Sequence, residues 1–236
     1  MADLSSFPIT KRWPAKNPDV IQLYSLQTPN GVKVSVALEE LGLPYEPHYI
    51  SFAANEQKSP EFISLNPNGR IPSIIDPNGP DGKPIGLFES GAILLYLAEK
   101  TGKLLPADAV GRYETIQWVF FQMAGIGPML GQFGHFHKFA AEKVANNSYP
   151  VERYRDEAKR LLSVLEARLE GRQWIMGDTY TIADITTFPW IRGADIFYGG
   201  REVLDYAKFP SVMAWLERCI ARPASEKGLN IPVKPE

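Results

Sequence analysis

Cysteine is nearly absent from this chain. The one cysteine among 236 residues, Cys219, excludes a disulfide within the chain and fits a reducing compartment, which makes the cytoplasm the expected location. Histidine is scarce as well. His135 and His137 stand two apart and so face different ways on a helix, while His48 lies far upstream, so the spacing of a zinc site is missing and no metal is expected. No apolar run approaches the ~18 residues of a membrane span, and residues 1–18 lack the apolar stretch of a secretion signal, so no membrane association is expected. Neither sign of charge dominates, with 25 basic against 27 acidic side chains, which argues against nucleic acid or an anionic membrane as a partner. A Gly-x-Ser-x-Gly elbow is absent, which counts against a serine hydrolase. The glycines of the first hundred residues do not fit Gly-x-Gly-x-x-Gly, which leaves dinucleotide binding unsupported.

The chain that remains changes texture near Leu105, and its length suits two packed domains. The expected division is an N-terminal extension (1–18), an α/β domain (19–104), a linker (105–110), an all-helical domain (111–228) and a C-terminal tail (229–236). Residues 20–25 read as a short buried strand. Val34, Leu38 and Leu41 recur at helical spacing, closed by Gly42. Residues 45–51 read as a second strand, reached by a crossover of the usual right hand. After the turn Asn66-Pro67-Asn68-Gly69, residues 71–75 and 85–88 can pair as a hairpin, and a helix follows over 90–100. That order resembles a thioredoxin-like domain. Beyond residue 111 only helical periodicity appears. Ile116, Val119, Phe120 and Met123 share a face of a helix that Gly125, Gly127 and Pro128 should break or kink. Tyr154, Ala158, Leu161, Leu165 and Leu169 form a second face. Thr181-Ile182-Ala183-Asp184 reads as a capped helix start, and Val212, Trp215, Leu216 and Cys219 line a last helix that Pro223 ends.

Three short runs stand where these strands and helices meet. Thr28-Pro29-Asn30-Gly31 is a helix start: Thr caps well, and Pro at the first position loses no hydrogen bond. It reads either as a well-made cap or as a seat for a ligand thiol, which open amides, the positive end of the helix dipole and the Thr28 hydroxyl would hold as thiolate. Lowering a thiol pKa from the mid-eights to near 7 would ionise about half of it at neutral pH. Glu89-Ser90 opens another helix. Ser90 can cap it, yet a hydroxyl with first-turn amides also suits a carboxylate, and Glu89 beside it can accept from an ammonium. A residue of each polarity reads an amino-acid zwitterion. Ile71-Pro72 supplies the third side. Together they describe a pocket for a small anionic peptide carrying a thiol, which is glutathione.

In order and spacing these runs resemble the glutathione transferase family over about residues 20–228. The stretches 24–31 and 88–100, with Gly127-Pro128-Met129-Leu130-Gly131-Gln132 and Glu152-Arg153-Tyr154, resemble its bacterial nu class. The resemblance implies a thioredoxin-like N-terminal domain followed by an all-helical C-terminal domain, and a homodimer. It implies a cis Ile71-Pro72 bond and two glutathiones, or one glutathione disulfide, per site. It also implies reduction of small disulfides by the bound glutathione thiols, with no protein cysteine. Carried over by position, Thr28 and Asn30 meet the sulfur, Gln57, Ile71 and Pro72 the glycyl and cysteinyl parts, and Glu89 and Ser90 the γ-glutamyl group. Arg153 reaches a carboxylate of the second glutathione, or else is a solvated helix charge. Two alternatives stay open: a detoxifying transferase acting on electrophiles, with Phe133, Phe136 and Trp190 near its second substrate or in the core, and a non-catalytic binding module. Phe7 and Trp13 suggest that the N-terminal extension packs on the body or on a partner subunit.

Overall fold

Ile21–Ser25 is buried along its whole length and forms β1, an interior strand of a four-stranded sheet ordered β2-β1-β3-β4. The computed structural model describes residues 2–235. Parallel to β1 runs β2 (Tyr45–Tyr49), while β3 (Ser73–Asp76) is antiparallel to β1 and β4 (Ile85–Phe88) antiparallel to β3. Helix α1 (Gly31–Leu41) connects β1 to β2 and stops at Gly42, whose left-handed backbone (φ 65°) turns its amide onto the carbonyls of Leu38 and Glu39. Helix α2 (Pro60–Leu65) precedes β3, and α3 (Ser90–Thr101) follows β4. The expected order of strands and helices is thus present, a thioredoxin-like arrangement. Register does the rest of the positioning. Tyr24 lies opposite Ser73, and Ser73 opposite Phe88, so the exit of β1, the entry of β3 and the exit of β4 share one end of the sheet.

Both chain ends belong to this first unit, which comprises residues 1–101 and 223–236. The N-terminal extension packs on its own body. Leu4 and Ile9 are buried in a cluster with Tyr24, Ile50, Phe62, Leu65, Ile71 and Ile75, and the Trp13 ring meets Tyr24 and Phe62 edge-on at 6.3 and 6.4 Å. At the other terminus, α10 (Pro223–Gly228) packs on α1. Ser35 Oγ donates to the Gly228 carbonyl (2.6 Å), and Gln27 Nε2 donates to the Asn230 and Pro232 carbonyls (2.6 and 3.1 Å). Pro223 thus opens a helix that packs with the first unit.

The second unit, residues 102–222, is helical. It holds α4 (Ala109–Phe121), α5 (Gly127–Gly134), α6 (Ser148–Leu169), α7 (Ile182–Ile196), the short α8 (Gly200–Val203) and α9 (Pro210–Ile220). Gly125, Gly127 and Pro128 do not break the chain's helical course. A wide π turn over Gln122–Ile126 carries α4 into α5, with the Gly127 amide bonding five residues back to the Gln122 carbonyl. Such a turn absorbs the irregular hydrogen bonding that glycine and proline impose. The capping box at α7 is present: Thr181 Oγ1 accepts from the Ala183 amide (3.2 Å) and Asp184 Oδ2 from the Thr181 amide (2.9 Å). Asp184 Oδ1 reaches further, accepting from the Ile175 amide (2.9 Å) and Trp215 Nε1 (2.8 Å), so one buried carboxylate ties three segments. The amides opening α9 are met from α6, where Glu166 accepts from Ser211 and Val212 (both 2.9 Å). No helix among the described residues is long and apolar enough to cross a membrane.

Candidate functional site

The end of the sheet where β1, β3 and β4 meet their loops carries the residues singled out from the sequence. After β1 the chain tightens at Thr28-Pro29-Asn30-Gly31 and enters α1. The helix is regular from Gly31, slightly later than a Pro29 start would give, yet Thr28 still caps it. Its hydroxyl accepts from the Gly31 amide (3.2 Å) and its carbonyl from the Val32 amide (3.0 Å). A Cβ at Gly31 would overlap the Leu26 carbonyl oxygen, so the turn admits only glycine there. Thr28 and Asn30 are half-buried at this helix start, where the dipole and first-turn amides favour an anion.

The second side is the loop before β3. The Ile71-Pro72 peptide is cis, and Ile71 lies just outside the ladder, which begins at Ser73. Gln57 sits in a 3-10 turn, Glu56–Lys58, whose Lys58 Nζ donates to the Asn68 carbonyl (3.4 Å) on the way to Ile71. Gln57 is buried, and its Oε1 has no hydrogen-bond partner among the described residues, a polar atom suited to a ligand's donor. Glu56 fixes this turn by accepting from the Ser51 amide (2.8 Å) and from Arg12 of the N-terminal extension (3.1 Å).

The third side lies between β4 and α3. Ser90 does not cap from outside the helix as expected. It is the first helical residue, and Glu89 ahead of it takes a left-handed backbone (φ 68°) while its carbonyl accepts from the Ile93 amide (2.9 Å). Glu89 is exposed and Ser90 is buried. Behind Ser90 stands a residue the sequence reading missed. Lys33 of α1 is fully buried, and its Nζ lies 3.3 Å from Ser90 Oγ. Burial drives its pKa well below the usual lysine range, and the nearby charge of Glu89 opposes that shift. The available signal was a charged residue set between Val32 and Val34 in a half of α1 that holds no other charge.

Arg153 belongs to the second unit. It is exposed on α6, in an open groove lined by Tyr149, Glu152, Asp156, Glu157 and Arg160. In that groove Glu157 and Arg160 hold each other through two bonds (2.7 and 2.8 Å). Phe133 and Trp190 are core residues, while Phe136 is half-buried and stacks on Tyr154 at 5.6 Å. Tyr24 is a core residue, wholly buried and stacked on His48 at 4.6 Å, with its hydroxyl pKa raised by burial. Cys219 is wholly buried on the apolar face of α9. Among the described residues no group of histidine, cysteine, aspartate and glutamate side chains could hold a metal ion.

Comparison with known proteins agrees with this architecture. Residues 19–99 match the glutathione S-transferase N-terminal domain and residues 116–223 the glutathione S-transferase C-terminal domain. The disulfide-bond oxidoreductase YfcG of Escherichia coli is 44% identical over 211 residues, covering 89% of this chain and 94% of that protein. A glutathione transferase of Burkholderia graminis, solved with two glutathione molecules per subunit, is 62% identical, with a TM-score of 0.95 and coverage of 100% and 98%. One from Pseudomonas putida, solved with one glutathione disulfide per subunit, is 55% identical, with a TM-score of 0.95 and coverage of 98% and 99%. With both domain models matched in order and relatives aligned nearly end to end, this chain belongs to the glutathione S-transferase family.

Proposed function

We propose that this protein reduces small disulfides with glutathione, using the thiols of two bound glutathiones and no thiol of its own. One observation carries the reading. The helix start that would face a ligand sulfur holds Thr28 and Asn30 and no cysteine, while the chain's single thiol is wholly buried in α9. The relatives described with two glutathiones or a glutathione disulfide support the same stoichiometry.

The residues take the following roles. Thr28 and Asn30 meet the sulfur of the first glutathione, and the N-terminus of α1 stabilises it as thiolate. Ile71 presents its backbone to the cysteinyl part, as a strand edge does to an added peptide, and Gln57 meets the glycyl end. Ser90 and the first amides of α3 receive the γ-glutamyl carboxylate, and Glu89 receives its ammonium. Arg153 reaches a carboxylate of the second glutathione. The thiolate of one glutathione attacks a sulfur of the substrate disulfide, which expels one substrate thiolate and leaves a mixed disulfide. The thiolate of the second attacks the glutathionyl sulfur of that mixed disulfide, expelling the other substrate thiolate and forming glutathione disulfide. Two electrons pass from the glutathione pair to the substrate. Holding both glutathiones together makes the second attack effectively intramolecular.

The protein works as a cytoplasmic homodimer in this reading. The buried lone cysteine suits a reducing compartment, and Val110, Tyr113 and Phe120 expose an apolar stripe of α4 suited to a partner subunit. Purified protein with glutathione, assayed in parallel on a small organic disulfide and an aryl halide, tests the reading. Disulfide reduction should dominate, and Arg153→Ala should depress it more than conjugation, because an aryl halide makes no use of a second thiol. Conjugation dominating in the native protein would make it a detoxifying transferase instead.

A further inference from the structure

Lys33 is a fully buried charge in α1, among the described residues of the first unit. An ammonium removed from water is costly unless a partner compensates it, and hydrophobic isosteres fill such positions at least as well. Lys33 sits in the first turns of α1 with apolar neighbours in sequence, fully buried, and sends its Nζ across to Ser90 Oγ at the start of α3. The Nζ group donates to that hydroxyl, and a hydroxyl that accepts from a cation becomes the stronger donor to whatever anion it meets. Glu89, the next residue back, adds the opposite charge on the exposed side.

We propose that Lys33 is a positioning residue that recognises the ligand's α-carboxylate through Ser90, backing that hydroxyl with a positive charge from inside the domain. The proposal rests on the reading of Glu89-Ser90 as the γ-glutamyl site and deepens it. It divides the zwitterion between two layers: Glu89 faces the ammonium directly, and Lys33 faces the carboxylate through an intervening hydroxyl. It also makes the carboxylate a condition of tight binding. A thiol peptide with the same length and amine but no α-carboxylate should give the Ser90 hydroxyl no anion to meet.

The test is a cycle of two ligands and two proteins. Binding of glutathione, and of 4-aminobutanoyl-cysteinyl-glycine, which lacks only that carboxylate, is measured by calorimetry on native protein and on Lys33→Met. The substitution should weaken glutathione roughly 10- to 100-fold, the range for a lost hydrogen bond to a charged group, and change the analogue less than about threefold. Equal losses for both ligands would reduce Lys33 to a structural tie between α1 and α3 and overturn the proposal. Lys33→Gln provides a second neutral variant. Should neither fold, 13C NMR of native protein labelled at lysine Cε reads the same contact. The buried lysine's signal should move with glutathione and stay with the analogue, and a signal indifferent to both, or moved equally by both, overturns the proposal. Native protein that binds neither ligand refutes the glutathione reading itself and this proposal with it.

Discussion

At the scale of single residues, Thr28 carries two jobs that mutation can separate. Its hydroxyl accepts from the Gly31 amide as a helix cap, and the same hydroxyl is proposed to meet the glutathione thiolate. Thr28→Ala should cost about 1 kcal/mol of stability from the lost cap. It should also lower disulfide turnover by up to ~30-fold, equivalent to ~2 kcal/mol for a hydrogen bond to an ionised sulfur. Thr28→Ser, which keeps the hydroxyl, should restore both. A lower melting temperature with turnover intact would leave Thr28 a cap and nothing more. The position of Thr28 at a helix start was legible in the sequence because capping is local chemistry, written in four adjacent residues. Lys33 was not, because its partner lies 57 residues away and nothing inside α1 says what that side chain faces.

At the scale of elements, each unit has one joint that mutation can probe. Asp184 caps α7 and simultaneously accepts from Ile175 and Trp215, so all its hydrogen bonds come from donors. Asp184→Asn would turn an amide N–H₂ toward one of those donors and should cost about 2–3 kcal/mol at neutral pH. Burial raises the Asp184 pKa from the ordinary 3.8 to about 6, against the pull of its hydrogen bonds. The native chain then holds this proton more tightly than the unfolded chain, so Asp184's contribution to stability falls as pH rises from about 4 to about 6 and is level above that. The stability gap between native protein and Asp184→Asn, from urea unfolding, should therefore be wider at pH 4 than at pH 7. An unchanging gap would contradict the shift.

The second joint is α10 on α1. A Cβ at Gly228 would come within 2.6 Å of Val36 Cα and 2.7 Å of its nitrogen, backbone atoms with nowhere to retreat. Gly228→Ala should thus lift α10 off α1 and cost about 1–3 kcal/mol, read from the urea midpoint. An unmoved midpoint would show the contact to be slack. The capping box of α7 could be read from Thr181 and Asp184 because its partners are three residues apart. The docking of α10 and of the N-terminal extension could not, since both are long-range contacts with no local pattern. The π turn fell between the two cases. Gly125, Gly127 and Pro128 announced an irregularity, but whether a helix kinks or widens there depends on what packs around it.

For the whole molecule, the strand and helix order of the first unit was readable because alternating short apolar runs and turn residues mark each boundary. The role proposed for Arg153 is not written there in the same way, because Arg153 is one exposed charge among several on α6. What the sequence does bear on directly is the source of the reducing thiol, since it offers only Cys219. That residue lies on the buried apolar face of α9 with Val212, Trp215 and Leu216, where a cysteine behaves as a small hydrophobe with an inert sulfur. Disulfide reduction by Cys219→Ala with glutathione, followed by mass spectrometry of the native protein during turnover, addresses the central claim most directly. The expected result is a somewhat less stable variant that reduces the disulfide at an undiminished rate, and a native protein whose mass never gains a glutathione. Loss of reduction in the variant, or a glutathione adduct on Cys219 during turnover, would contradict the account and move the chemistry onto a protein thiol.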